Sequence, residues 1–163
     1  MAGRRALKLA IAGALAAMLL SAPLALATEP TRDEYTARVE PICKTNTEAN
    51  KRIFKGARAE VKAGELKKAA SHFTRATIAF AKAIKQLTAV SPPAEDKAKI
   101  DKWLGYLGDE KDLLGKIGTA LKAEQKLKAQ TYLVKLTTSS NLANNTVLAF
   151  GFDYCRIEPS RFS

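Results

Sequence analysis

Between residues 66 and 87 the apolar side chains Leu66, Ala69, Phe73, Ala76, Phe80, Ala83 and Leu87 recur every three or four positions. An α-helix completes a turn in 3.6 residues, so this spacing gathers them into one stripe and predicts an amphipathic helix. A second stripe begins at Tyr35, Val39 and Ile42 and resumes at Ala49, Ile53, Ala57 and Val61. A third comprises Ile100, Trp103, Leu107, Leu114, Ile117 and Leu121, and a fourth Leu133, Leu136, Ser140, Ala143, Val147 and Phe150 on a helix starting near Glu124.

The residues between the stripes mark where helices begin and end. Thr31-Arg32-Asp33-Glu34 has the form of a capping box, with Thr31 as N-cap and Glu34 three residues on. Pro41 lacks an N–H and crowds the preceding turn, which predicts a kink or a fresh helix start. Gly64 marks a turn. Ser91-Pro92-Pro93 closes the second helix, because a residue before proline is driven from helical dihedrals. Glu95 and Asp96 then fall where a third helix would present its positive dipole end. Gly151 is placed to cap the fourth helix. Four glycines on the third helix (Gly105, Gly108, Gly115 and Gly118) weaken it, and close helix contact is their expected return. "KAGELKKA" (62–69) echoes "KAEQKLKA" (122–129) at the two predicted hairpin junctions, but no 34-residue repeat period recurs. Four helices with short connections predict an all-α domain, a single up-down-up-down four-helix bundle.

The N-terminus changes the expected compartment. Arg4, Arg5 and Lys8 precede an uncharged run from Leu9 to Leu20, and Ala25-Leu26-Ala27 offers a signal-peptidase site. Residues 1–27 therefore read as a signal peptide and 28–163 as the helical domain, of secreted or cell-envelope location, with no membrane span after cleavage. An uncleaved anchor is the alternative, since Leu9 to Ala27 is long enough to approach a bilayer's thickness at about 1.5 Å per residue. In an exported chain, Cys43 and Cys155, an even count without C-x-x-C spacing, favour one disulfide over a metal site.

Charge narrows the choice of partner. The full chain carries a formal net charge of +11. Residues 32–90 hold 13 basic and 6 acidic side chains, 94–121 hold 5 and 6, and 122–163 hold 6 and 3. The excess lies on the first hairpin, where Lys51, Lys55, Arg58 and Lys62 form one set and Lys68, Arg75 and Lys82 another. Such a surface suits an anionic envelope polymer, a lipid surface or a protein partner, and a solvated face that keeps a small secreted domain soluble is the alternative. Nucleic acid is disfavoured, because no aromatic side chains interleave with the basic ones to stack bases.

Chemistry is thin by comparison. His72 is the sole histidine, off the second stripe, and reads as a rim or solvent-facing residue. No H-E-x-x-H, G-x-S-x-G or C-x-x-C-H motif occurs, and nothing implies a metal or other cofactor. "GDEKDLLGKIG" (108–118) fails as a P-loop, having the wrong glycine gap and Ile117 at the magnesium-binding position. Asp109, Glu110 and Asp112 with Lys111 and Lys116 suggest surface ion pairs. Asn144-Asn145-Thr146 matches a glycosylation pattern inside a helix. Asn46 and Asn50 on the first helix, with Asn141 and Asn145 on the fourth, form a polar strip if those helices adjoin, either an internal hydrogen-bond network, the favoured reading, or the lining of a polar groove. The expected role is a non-catalytic binding module using the basic hairpin, with a carrier of a small ligand held between helices as the alternative.

"YTARVEPICKTN" (35–46), "LTAVSPPAEDKAKIDKWLGYL" (87–107) and "LAFGFDYC" (148–155) together resemble a family of small secreted or lipid-anchored helical proteins of actinobacteria. The family has no established activity, so the resemblance supplies no catalytic or binding residues. It implies a disulfide between Cys43 and Cys155. This chain departs from the lipid-anchored members in having no cysteine at the cleavage site. Antiparallel helices would bring Cys43, in the first turn of a helix starting near Pro41, to the same end as Cys155. Phe152 and Tyr154 would then cover the end of the core.

Overall fold

A computed structural model of the chain describes residues 29–157. The expected signal peptide, residues 1–27, lies outside the described residues. The described chain is all-α: α1 (Arg32–Ile53), α2 (Ala57–Lys62), α3 (Leu66–Thr88), α4 (Lys97–Lys122) and α5 (Lys126–Thr146), with short 3-10 turns at Ala94–Asp96 and Leu148–Phe150. No helix among the described residues is long and apolar enough to cross a membrane.

The capping box forms: Thr31 N donates to Glu34 Oε2 (2.7 Å) and Glu34 N to Thr31 Oγ1 (3.2 Å). These bonds satisfy amides that the first helical turn leaves without partners. Pro41 does not start a new helix, because α1 runs through it without a break. The ring is exposed, and so is Ala37, whose carbonyl loses its partner four residues on. Water can take that bond, which lowers the cost of an interior proline. The break comes later. α1 stops at Ile53, and Gly56 (φ 91°) turns the chain into α2, a change of direction the continuous stripe did not foretell.

The echoed segments are two copies of one turn. Gly64 (φ 78°) and Glu124 (φ 59°) both adopt the left-handed conformation. At the first, Glu65 N donates to Glu60 O (2.9 Å) and Gly64 N to Val61 O (3.2 Å). At the second, Gln125 N donates to Ala120 O (2.9 Å) and Glu124 N to Leu121 O (2.9 Å). Both are Schellman closures that satisfy the last carbonyls of a helix before the chain reverses.

α4 packs along α3 and α5, while α1 docks chiefly on α3. The third stripe is wholly buried, as are Ala69 to Leu87 of the second, and Trp103 is fully enclosed. Glycine matters at one point of α4: a Cβ on Gly118 would lie 3.2 Å from Phe73 Cβ and 3.5 Å from Ala70 O, so α3 and α4 approach closely there. Gly105 and Gly108 face open space. The start of α1 is tied to that of α4. Asp96, almost fully buried, accepts from Arg32 Nε (2.8 Å) and Nη2 (3.0 Å) and from Lys99 Nζ (3.2 Å). The Arg32 bond holds the Asp96 carboxyl below its ordinary range.

The chain's end does more than cap the core. Gly151 (φ 64°) closes the last 3-10 turn, and Phe152 is buried against Trp103 and Phe150 at centroid distances of 5.6 and 5.3 Å. Tyr154 remains exposed, with Lys44 Nζ 5.5 Å from its ring. The chain then turns back along α1. Glu40 accepts the amides of Asp153 (3.1 Å), Tyr154 (3.0 Å) and Cys155 (3.3 Å). Cys155 forms the disulfide with Cys43, with Cα atoms 4.9 Å apart. Cys43 lies inside α1 rather than in a first turn, so the staple fastens the tail to the side of α1. Farther on, Asn144 Nδ2 donates to Ile157 O (2.7 Å) and Ile157 N donates to Asn144 Oδ1 (2.8 Å). The amide of the apparent glycosylation pattern thus holds the tail against α5.

Candidate functional site

With the tail between them, α1 and α5 make no extended contact with each other among the described residues. Above the tail a partly open cavity of about 330 Å³ remains, lined by α1, α3, α4, α5 and the tail itself. Small-molecule sites span about 300–1,000 Å³, so this one suits a compact ligand.

Its polar walls arise from seam positions. Along α4 the buried side chains step through Trp103, Leu107, Glu110, Leu114 and Ile117, and Glu110 occupies a slot that an apolar residue would otherwise take. Along α1, Val39 and Cys43 are followed at the same spacing by Asn46 and Asn50. α5 contributes Leu136 to the lining, and its buried Ser139 and Ser140 lie outside it. Helix geometry therefore directs these polar groups inward as surely as it does leucines. Phe54, Phe80, Leu114 and Leu136 supply the apolar lining, and Lys51, Lys55 and Arg156 also line the cavity.

Glu110 is 1 % exposed, and its Oε1 has no hydrogen-bond partner. Burial pushes its carboxyl up to about 8; the nearby Ser140 hydroxyl opposes the rise and Asp109 adds to it. The Ser140 hydroxyl reaches no partner in good hydrogen-bond geometry, and burial outweighs its opposing effect on the acid. At neutral pH the group is mainly the uncharged acid, able to donate as well as accept. Asn46 Oδ1 and Asn50 Oδ1 are likewise buried without partners. Three such polar groups in one cavity are costly unless something meets them.

The anticipated polar strip is half present. Asn46 and Asn50 line the cavity, whereas Asn141 and Asn145 are exposed on the far side of α5. The basic set is dispersed. Lys51 and Lys55 reach the cavity, Arg58 borders a second one beyond Phe54, and Lys62 is exposed on α2. Lys68 pairs with Glu65 (3.0 Å) and Glu60 (3.6 Å), and Lys82 borders a shallow groove beside Pro41. Arg75 Nη2 lies 3.0 Å from His72 Nδ1.

Two expectations are corrected. His72 is buried, because α2 folds over it: Nε2 lies 2.9 Å from Glu60 Oε2 and Nδ1 faces the Ile53 carbonyl. The ring pins α1 and α2 to α3. Glu110 is no surface ion-pair member, although Lys111 and Asp112 beside it do pair (3.0 Å). Its signal was present in the sequence, since it fills the missing step between Leu107 and Leu114. Glu40, the anchor of the tail, gave no comparable signal, because its partners lie more than a hundred residues away.

No protein-family model matches this chain, and no curated protein or solved structure matches it significantly.

Proposed function

We propose that this chain is an exported, non-catalytic carrier of a small organic anion, built as an up-down-up-down four-helix bundle and working at the cell envelope or outside the cell. The observation that carries this reading is Glu110, buried at the cavity wall with its Oε1 unpartnered, beside the unpartnered oxygens of Asn46 and Asn50. An uncharged acid can donate to a carboxylate or phosphate oxygen, and the asparagine amides can rotate to do the same. Lys51, Lys55 and Arg156 give the same cavity a positive field. The basic first hairpin then draws the anion in instead of forming a separate polymer-binding surface. The Cys43–Cys155 disulfide supports an oxidising compartment.

Native mass spectrometry of gently purified protein tests the reading, followed by calorimetric titration with short carboxylates and organophosphates. Binding that weakens at least tenfold in Lys51→Glu/Lys55→Glu, with the loss shrinking at high salt, is the expected result. Undiminished binding in that variant overturns the site.

A further inference from the structure

The cavity shares one lining residue with a second cavity. This residue, Phe54, lines the first and also the second, of about 190 Å³, on the other side. The second space is bounded by Ala57 and Val61 of α2, Phe73 of α3, Ile117 and Leu121 of α4, and Ala129 and Leu133 of α5, a mostly apolar set joined by the exposed Arg58, Lys126 and Gln130. Phe54 is only part-buried and is the C-cap residue of α1, two positions before Gly56 turns the chain at φ 91°. Its ring meets Phe73 edge-on at 5.0 Å. Among the described residues, Phe54 at this helix end is thus the side chain that lines both the cation-lined space and the mostly apolar one.

We propose that the two cavities form one site for a free single-chain amphiphile with a carboxylate head, its head among Asn46, Asn50, Glu110, Lys51, Lys55 and Arg156 and its tail beneath Phe54 in the second cavity. The proposal rests on the carrier reading above and specifies its ligand. Polarity grades across the site as it does along such a molecule: Asn46, Asn50, Glu110 and three cations line the first space, whereas aliphatic and aromatic side chains make up most of the second, where Arg58, Lys126 and Gln130 are exposed. A short anion would leave the second space unused, whereas a chain that enters it removes methylenes from water at about a fourfold gain in affinity each.

The test is calorimetric titration with a homologous series of straight-chain carboxylates below their micellar concentrations. It uses the native chain and the variants Val61→Trp and Leu133→Trp, whose part-buried side chains line only the second cavity. Helicity of each variant is checked by circular dichroism. In the native chain affinity is expected to climb about fourfold per methylene once the first cavity is filled. Either tryptophan should stop that climb early while leaving the shortest members unaffected. Short members that bind with no gain from length, or a climb unchanged in both variants, overturn the extension alone. Failure of every member to bind refutes the anion site itself. Preference for anionic phospholipid vesicles over monomeric carboxylates refutes the free-amphiphile assignment.

Discussion

Replacing Glu110 by glutamine removes a proton that the folded chain has to keep. In the unfolded chain the carboxyl titrates near 4.5, and in the folded chain burial pushes it to about 8. Between those values the folded state holds one proton more than the unfolded state, so stability falls as pH rises. Each unit is worth about 1.4 kcal/mol. The interval from 4.5 to 8 therefore costs the native chain about 5 kcal/mol, of which about 3 is already lost at pH 7. The cost is absent below the unfolded value and complete above the folded one. Glu110→Gln keeps the shape and cannot ionise. The cost of its buried amide does not vary with pH and drops out of the slope. Urea unfolding of both proteins with the disulfide intact, followed by far-ultraviolet dichroism and by the emission of Trp103, the sole tryptophan, gives the comparison. The stability of the variant minus that of the native chain should grow by about 1.4 kcal/mol per pH unit from 5 to 8 and then level off. All other ionisable groups titrate alike in the two proteins and cancel. A difference that stays flat across this range refutes the buried, neutral acid and with it the chemistry assigned to the cavity.

Three further outcomes follow from the same packing. The Cys43–Cys155 disulfide spans 112 residues, so the Cys43→Ser/Cys155→Ser variant should lose about 5 kcal/mol of unfolding free energy, and thiol titration of the native chain should find no free cysteine. Glu124 pays for a left-handed conformation at φ 59° that costs an L-residue about 1–2 kcal/mol, so Glu124→Gly should raise the melting temperature by a net gain of about 1 kcal/mol. The exposed Lys67–Glu124 pair at 3.5 Å that this change removes contributes little. On α4, Gly108→Ala enters open space and should stabilise the chain by up to about 1 kcal/mol, whereas Gly118→Ala meets Phe73 and should gain nothing or lose stability in the same melt.

Much of the fold is local and was therefore readable in the chain. The stripes of α3 and α4, the capping box at Thr31 and the stop before Pro92 depend on residues within a turn or two of one another. The echo of residues 62–69 at 122–129 also had a local cause, since both segments close a helix with the same turn. Pro41 starts no new helix inside α1 because its cost depends on whether water reaches the freed carbonyl, which is a property of the packed molecule. The same holds for His72, whose burial is imposed by Glu60 and Ile53 from the preceding turn of chain.

By itself the sequence determined every long helix, most of their buried faces and the availability of two cysteines for one staple, but not the break between α1 and α2, because periodicity and turn chemistry act over short spans. It also placed Glu110, Asn46 and Asn50 on seam positions, although the seam shows as a gap until the fold is known. The tertiary structure alone decided what those positions enclose. The tail, held by Glu40, Cys43 and Asn144, occupies the space between α1 and α5, leaves Asn141 and Asn145 outside, and brings Arg156 beside Lys51 and Lys55. A cavity is the space left between distant segments, and its charge state follows from how fully they exclude water. Neither quantity exists in any short stretch of the chain.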